Sequence, residues 1–511
     1  MPENTAMVAG NASWMLVSAS LVLLMTPAVS LFYGGMSSRR SVLNMMMMSF
    51  TALGVVPVVY VLWGWSESYG TQSVGGLFAN PFEFFGLRNS IVDANGEYIV
   101  GAQGYANVID IAFQVTFAVI SVAIISGAIA SRVKIGSWIA FIAGWTTLVY
   151  FPLAHMVWGG GVLGDGEKSV AALFFGHENG EALIAPIDFA GGTVVHISAG
   201  TAAFVLALVI GHRQGFPNSN SRPHNLPLVM VGAALLWFGW FGFNAGSAFA
   251  ADGLAGLAWM NTTAAAAAAM LGWLVVERLR DGYATSLGAS SGLVAGLVAI
   301  TPAAGDLNPA WSLVLGFIGG VLACFGVGLK YTFNYDDSLD VVGVHLVAGL
   351  WGTVGLAFFA DERGIFTGGG VDGWKLLVVQ ALIALVAMVI SGVMTLLLAL
   401  AIKYTFGWRI SGQQEFEGID YSIHRETGYD FGGPGMRPGG LAMGNRAAAE
   451  LGLNESRENH EPHAHHGLQR ATEPRNAAKQ GNAAEQPTAT ESPIEPKPPS
   501  ADPAQEKEIE R

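Results

Sequence analysis

The sequence predicts an all-α integral membrane protein with eleven transmembrane helices, arranged as a five-plus-five inverted repeat. Of its 511 residues 52% are hydrophobic and only 12% are charged, about half the charged share of a soluble domain. Apolar runs of about 20 residues, the length that crosses a bilayer core of roughly 30 Å, recur from residue 12 to residue 403. A V-H-x-x-A-G pattern also occurs twice within these runs, at 195–200 and at 344–349.

The apolar runs define eleven predicted spans. We place them at 12–35, 42–65, 107–130, 135–158, 188–211, 226–249, 254–276, 284–302, 310–330, 341–360 and 374–403. Alternate loops hold nine basic residues: Arg39, Arg40, Arg132, Lys134, Arg213, Arg222, Arg278, Arg280 and Lys330. The other loops hold only Arg88, Lys168 and Arg363. By the positive-inside rule the first set is cytoplasmic, so we expect an inner (plasma) membrane protein with its N-terminus outside and its C-terminus inside.

The two repeated motifs indicate internal symmetry. His196 lies on the fifth predicted span and His345 on the tenth. Because five is odd, a repeat of spans one to five in spans six to ten is inverted, and the two histidines meet near the midplane of the membrane. Asp188 and Asp340 precede them, and we expect each carboxylate to cap the start of its helix.

The histidine pair is the first candidate for chemistry. A lone intramembrane histidine can simply hydrogen-bond a neighbouring helix, but two at repeat-equivalent positions favour one shared pathway. Two facing imidazoles in an apolar lumen disfavour double protonation, because burial and like charge both oppose the second proton. Such a pair can donate to and accept from a small polar molecule, or relay a proton, and it solvates Na⁺ or K⁺ poorly.

Aromatic residues near the external mouth are the second candidate. Phe113 and Phe117 lie four residues apart on the third span, Trp158 ends the fourth, and Phe243 and Ser247 lie near the outer end of the sixth. Aromatic faces attract a small cation, and a hydroxyl accepts a hydrogen bond from it. An interfacial aromatic belt explains the same rings equally well. From spacing alone, both interpretations stay open.

Other features limit the functional class and the domain organisation. The single cysteine, Cys324, excludes an internal disulfide. We find no phosphate-binding loop, zinc-protease motif or nucleophile elbow, so we predict neither an enzyme nor a bound cofactor or metal. The net charge of −13 argues against nucleic-acid binding.

The domain organisation follows from composition. Residues 1–406 are predicted to form the transmembrane domain, and the polar tail 432–511 is expected to be disordered. The tail contains four histidines, and a chance cluster is favoured over a metal site: His460, His463, His465 and His466.

Several longer motifs resemble one known family. They are FYGGM at 32–36, AHMVWGGG at 154–161, DFAGGTVVH at 188–196, GWFGFNAGS at 239–247, TPA at 301–303 and DVVGVH at 340–345. Over roughly residues 12–430 the chain resembles the ammonium transporter family (Amt/Mep/Rh), bacterial Amt branch. The outer loops at 66–106 and 160–187 are longer than in compact members, and the tail after Asp430 is an extension with no family role.

The resemblance implies the ammonium transporter fold, a homotrimer with one pore per subunit, and specific residue roles. It implies an external ammonium-recruitment site made of Phe113, Phe117, Trp158 and Ser247, supported by Asp188 without direct contact. It also implies a stacked gate of Phe117 and Phe243 above a hydrophobic lumen with the twin histidines His196 and His345. A PII-type nitrogen signalling protein commonly blocks bacterial members from the cytoplasm and is a candidate partner. Residues 407–431 resemble the family's structured cytoplasmic segment.

We therefore predict an ammonium transporter that recruits NH₄⁺, deprotonates it and conducts NH₃ into the cytoplasm, with the proton either left behind or relayed separately. A bare ammonium ion in a dry lumen carries a desolvation penalty of many kcal/mol, whereas NH₃ carries little. One alternative is an ammonium sensor that signals through its cytoplasmic tail. Another is a channel for a neutral solute such as water or CO₂, which would not need cation-attracting rings.

Overall fold

The computed structural model describes residues 2–218 and 222–429 of the chain. The predictions for the tail 432–511 and for its four histidines lie outside these described residues. Below, the face that the basic loops predict to be cytoplasmic is called the inner face, and the opposite face is called the outer face.

Within the described part of the chain, 11 helices are long and apolar enough to cross a membrane, which confirms the predicted fold class. We number them spans 1 to 11 in chain order. They are Ala6–Met36, Val42–Tyr69, Asn107–Ile129, Ile135–Val157, Gly192–Ile210, Leu226–Gly246, Gly253–Asp281, Ser286–Ala303, Pro309–Thr332, Val342–Phe359 and Gly370–Thr405.

Spans 1 and 6, the first helices of the two halves, are in close contact along a row of glycines. A Cβ atom added at Gly232, Gly239, Gly242 or Gly246 of span 6 would come within 2.4–2.7 Å of atoms of span 1. Small residues allow such approach in membranes, where van der Waals packing and not hydrophobic exclusion holds helices together. The glycine-rich motif at 239–247 therefore packs the two halves against each other.

The starts of spans 5 and 10 share one local geometry. Asp188 lies eight residues before His196, and its carboxylate accepts hydrogen bonds from the N–H groups of Gly191 (3.1 Å), Thr193 (3.0 Å) and Val194 (3.3 Å). A π-helical turn, Gly192–Ile197, then carries the histidine. This confirms the predicted cap at Asp188 and moves the start of span 5 from residue 188 to Gly192.

The predicted cap at Asp340 is wrong. The carboxylate that accepts from the start of span 10 belongs to Asp337, which bonds the Val342 N–H at 2.7 Å and lies eight residues before His345. The π-helical turn Val342–Val347 follows, as in span 5. Asp340 instead has a backbone φ of 67° and pairs with Lys330. It is equivalent to Gly191, whose φ is 109°.

The outer loops contain small elements of regular structure. Strands β1 (Ser73–Val74) and β2 (Phe78–Ala79) form one antiparallel hairpin. Strands β3 (His177–Glu178) and β4 (Glu181–Ala182) form another, after a short helix at Val170–Phe175. These loops cover the outer end of the bundle and supply part of the wall of the cavity described below.

A buried cluster of charged groups joins the inner ends of the spans. Arg132 is fully buried and donates to the Asp336 carbonyl oxygen at 2.7 Å, while its guanidinium lies 4.0 Å from the Asp336 carboxylate. Arg213 donates hydrogen bonds to the same carboxylate from Nε and Nη2, at 2.7–3.1 Å. These contacts connect the loop after span 3, the loop after span 5 and the segment before span 10.

The residues after span 11 fold against this inner face. They include a short helix at Gly412–Glu417 with a capping box at Ser411, and a π-helical turn at Asp420–His424. The Asp420 carboxylate accepts from the N–H groups of Leu43 (2.9 Å) and Asn44 (2.8 Å) at the start of span 2. This C-terminal segment thereby caps a helix of the first half.

Candidate functional site

A cavity of about 640 Å³ opens at the outer end of the bundle. Its walls bring together four of the predicted site residues, which come from separate parts of the chain: Phe117, Trp158, Asp188 and Ser247. Phe113, the fifth of them, does not line this cavity. It is fully buried one layer behind, with its ring edge-on to Phe117 at 4.7 Å and to Phe249 at 5.8 Å.

Trp158 is held in place from behind. Its Nε1–H donates to the Asp188 carbonyl oxygen at 2.9 Å. Its ring stands edge-on to that of Phe117, with centroids 6.3 Å apart and an interplanar angle of 89°. Ser247 donates its hydroxyl proton to the Phe243 carbonyl oxygen at 2.8 Å, so only its oxygen lone pairs remain for a ligand. The cavity floor therefore combines aromatic faces with a hydrogen-bond acceptor.

Two stacked rings close the floor of the cavity. Phe117 and Phe243 lie nearly parallel, with centroids 4.1 Å apart and an interplanar angle of 15°. Both rings are almost completely buried. Below them the Phe243 centroid is 6.1 Å from that of His196. The stack therefore separates the outer cavity from the histidines.

The two histidines meet at the centre of the bundle, as their symmetry predicted. His196 Nδ1 and His345 Nδ1 are 3.3 Å apart, and the residues are 1% and 4% exposed. When both rings are neutral, this contact holds a single proton, so one Nδ1 donates and the other accepts. One ring then has a bare Nε2 and the other an Nε2–H, and the pair presents an acceptor and a donor together.

A cavity of about 10 Å³ lies beside the histidine pair. Its walls come from spans 1, 3, 5, 6, 8 and 10, which are three pairs of helices equivalent in the two halves. Apart from the imidazoles it is lined by aliphatic and aromatic residues such as Met25, Ile124 and Val294. His196 lines this space, and its Nε2 has no hydrogen-bond partner among the described residues.

Two residues that sequence reasoning left without a definite role support the site. Trp240 stacks on His196 at 5.5 Å, and its indole N–H donates to Thr301 Oγ1 at 2.9 Å, which fixes the plane of the imidazole. Asp337 positions the start of span 10 and was missed altogether. The signal available for it was the equal spacing of eight residues between each capping aspartate and its histidine.

This geometry defines a class of protein. An imidazole pair lies below two stacked phenylalanine rings, between the inverted halves of an eleven-span bundle. The arrangement is that of a channel-like membrane transport protein for a small polar solute.

Comparison with known proteins gives the family. Residues 13–429 match the model of the Ammonium Transporter Family, so the chain belongs to that family. It is 49% identical over 447 residues to an ammonium transporter of Mycobacterium bovis, covering 83% of this chain and 90% of the relative. It is 38% identical to the ammonium transporter Amt1 of Archaeoglobus fulgidus, covering 82% and 99% of the two chains.

Solved structures agree with this assignment. A structure titled "Sensor Amt Protein" matches with a TM-score of 0.72 at 28% identity, covering 82% of this chain and 99% of the other. The crystal structure of Saccharomyces cerevisiae Mep2 matches with a TM-score of 0.68 at 29% identity, covering 80% and 92%. The predicted family and fold are therefore confirmed.

Proposed function

We propose that the protein recruits NH₄⁺ at the outer cavity, where the ion gives a proton to water above the Phe117–Phe243 stack, and that it conducts NH₃ past His196 and His345 to the cytoplasm. The proton either stays outside or is relayed separately. The observation that carries this proposal is the Nδ1–Nδ1 contact of 3.3 Å inside an apolar cavity. A pair that presents one donor and one acceptor matches a neutral molecule that both donates and accepts, and ammonia is such a molecule.

Recruitment uses the groups at the floor of the outer cavity. The faces of Trp158 and Phe117 attract a small cation, and the Ser247 oxygen accepts one N–H from it. The Asp188 carboxylate is occupied by backbone N–H groups, so it stabilises the ion through its charge without binding it directly. Phe113 supports the Phe117 ring from behind.

Deprotonation explains how ammonium is separated from potassium. The stacked rings and the small apolar cavity below them offer no ligands to replace the water shell of an ion. An unpaired charge there carries a large desolvation penalty, whereas neutral NH₃ carries a small one. K⁺ is similar in size to NH₄⁺ but has no proton to lose, so it stays outside.

We further propose that the inner face is cytoplasmic and that the protein is a homotrimer. The basic loops support this orientation. A PII-type protein is the candidate regulator at the same face. Native mass spectrometry in detergent tests the trimer, and a single-subunit mass would contradict it.

The primary test is ion-specific current in proteoliposomes. We expect wild-type protein to give a current or an internal pH change when the ammonium concentration is raised suddenly. An equal step in potassium concentration should give neither. Ammonium binding without any flux in a correctly folded protein would favour the sensor interpretation instead. Flux of water or CO₂ without an ammonium response would favour the neutral-solute channel.

The gate makes a separate prediction. The substitution Phe243→Ala removes one ring of the stack and lets water reach the histidines, so ammonium selectivity over potassium is expected to fall about tenfold, the factor given by roughly 1.4 kcal/mol of lost ion exclusion. Relative ammonium and potassium currents measure it. The matched control is Phe241→Ala, because Phe241 stacks on Trp259 and not in the pore path. Equal selectivity in both variants would mean that the Phe243 ring only fills space.

Asp188 makes another prediction. Asp188→Asn keeps an oxygen for the helix start but removes the charge, and we expect ammonium flux to fall about tenfold or more with the fold retained. Asp188→Ala also leaves the N–H groups of Gly191, Thr193 and Val194 without their acceptor, so its melting temperature should fall as well. Asp252→Asn, which alters a helix cap at the start of span 7, is the control. Normal ammonium flux in Asp188→Asn would mean that the carboxylate only caps the helix and that its charge does not contribute to transport.

A further inference from the structure

A second group of polar side chains lines the outer cavity farther from the gate. Asp110, Gln114 and Phe117 occupy positions i, i+4 and i+7 of span 3, so they share one face of the helix. All three line the outer cavity. Span 3 runs inward from the outer face, so Asp110 lies nearest to the opening, Gln114 follows one turn deeper, and Phe117 ends the row at the gate.

Gln114 is a buried polar group with an unused acceptor. Only 8% of the residue is exposed, and its Oε1 has no hydrogen-bond partner within the part of the chain that the structure describes. The Tyr69 hydroxyl, on the facing end of span 2, likewise has no partner and lines the same cavity. Buried polar atoms are rarely left unpaired. Both residues line one cavity, so a ligand there that donates hydrogen bonds would supply the partners that these two oxygens lack.

Asp110 supplies negative charge beside these acceptors. One of its carboxylate oxygens accepts from the Tyr105 hydroxyl at 2.8 Å. Arg363 lines the same cavity, and its guanidinium donates to the Ala185 carbonyl oxygen. In the described part of the chain no salt-bridge partner lies within 4.0 Å of Asp110.

We propose that Asp110, Gln114 and Tyr69 form an outer subsite that holds NH₄⁺ before it moves to Phe117 and Trp158. This proposal rests on the proposed function. A carboxylate, an amide oxygen and a phenol oxygen together give an ammonium ion charge and several acceptors for its four N–H donors. The ion still has all its protons here. The subsite therefore accepts K⁺ and Rb⁺ as well, and selection begins only at the gate.

Transport kinetics give the first test. We expect Asp110→Asn to raise the half-saturating ammonium concentration about fivefold, an effect typical of a partly exposed charge contact. Gln114→Leu should raise it by about the same factor, because it removes one hydrogen-bond acceptor. High ammonium should recover most of the current, because the gate and the histidines are intact. The control is Glu97→Gln, which removes the same charge from an exposed outer loop. Its half-saturating concentration should match the wild type.

Transport measured at high ionic strength distinguishes a specific cation subsite from a general attraction of cations by surface charge. The difference between Asp110→Asn and wild type should persist in 0.5 M N-methylglucamine chloride, in which the charges of a diffuse surface are screened within about 5 Å. Disappearance of the difference in high salt would overturn the subsite.

Rubidium ions test the subsite in the wild-type protein. Crystals of the wild-type protein in rubidium chloride should show an anomalous peak between Asp110 and Gln114 Oε1, and the peak should vanish in Asp110→Asn. Unchanged kinetics in both variants and no peak would overturn the subsite while a wild-type ammonium current upholds the proposed function. Absence of both a current and an internal pH change in the wild type on an ammonium jump would overturn the proposed function, and the rubidium peak would then decide on the cation subsite alone.

Discussion

The His196→Ala/His345→Ala protein is expected to lose its ammonium-specific current in proteoliposomes by roughly a hundredfold, the effect of two lost hydrogen bonds in a dry cavity, and to leak potassium. The physical reason is that the imidazoles both offer hydrogen bonds to ammonia and fill the cavity. Without them the space of about 10 Å³ enlarges, and water can follow an ion through it. Currents on alternating ammonium and potassium jumps measure both effects.

A matched substitution distinguishes loss of the pair from general damage. His155 is another buried histidine, at the end of span 4, where its ring contacts Ser73 Oγ at 2.8 Å and the Ser68 carbonyl oxygen at 3.2 Å. His155→Gln keeps a polar group there and should transport with wild-type selectivity. Wild-type selectivity in the His196→Ala/His345→Ala protein, at an unchanged melting temperature, would refute the role of the pair.

The substitution Asp336→Asn is expected to give the largest loss of stability, about 3–5 kcal/mol. Its carboxylate is fully buried and offsets the charges of Arg132 and Arg213. Arg132 is itself fully buried, so an asparagine leaves a guanidinium without its counter-charge. A fall of roughly 5–10 °C in melting temperature in detergent is the expected result.

The pH dependence of stability checks the same cluster. Burial alone would raise the pKa of Asp336, but the hydrogen bonds from Arg213 and the charge of Arg132 hold that pKa below its ordinary value. The resulting stabilisation is present above the unfolded pKa, about 4, and is lost as the pH falls through the folded one. Asp336→Asn should therefore flatten the acid limb of the stability curve. Asp281→Asn, which breaks the exposed pair with Arg280, should leave it unchanged, and equal curves for both variants would contradict this account.

The fold followed from the sequence because helix length and hydropathy are local properties. The sequence did not show which aspartate in the second half is equivalent to Asp188 in the first. Asp336, Asp337 and Asp340 all precede His345, and local capping preferences do not rank them. The structure ranks them by surroundings: Asp336 faces two arginines, Asp337 meets a helix start, and Asp340 adopts a positive φ beside Lys330.

The candidate site was predicted in part. Symmetry alone brought His196 and His345 together, because an inverted repeat relates them whatever the packing. The aromatic groups could not be separated from an interfacial belt by spacing, since a belt and a gate place rings at the same depth. Gln114 was missed because one amide in an apolar helix carries no periodic signal. Only the three-dimensional structure shows that its oxygen is buried without a hydrogen-bond partner among the described residues.

The bond from Asp420 to the start of span 2 also concerns biosynthesis. Its two amide donors, Leu43 and Asn44, precede it by 377 and 376 positions. During synthesis span 2 leaves the ribosome long before residue 420 does. It therefore enters the bilayer while the N–H groups of Leu43 and Asn44 still lack the Asp420 carboxylate. A chain that ends before residue 420 lacks this acceptor, so water has to satisfy both N–H groups and the start of span 2 is less firmly fixed.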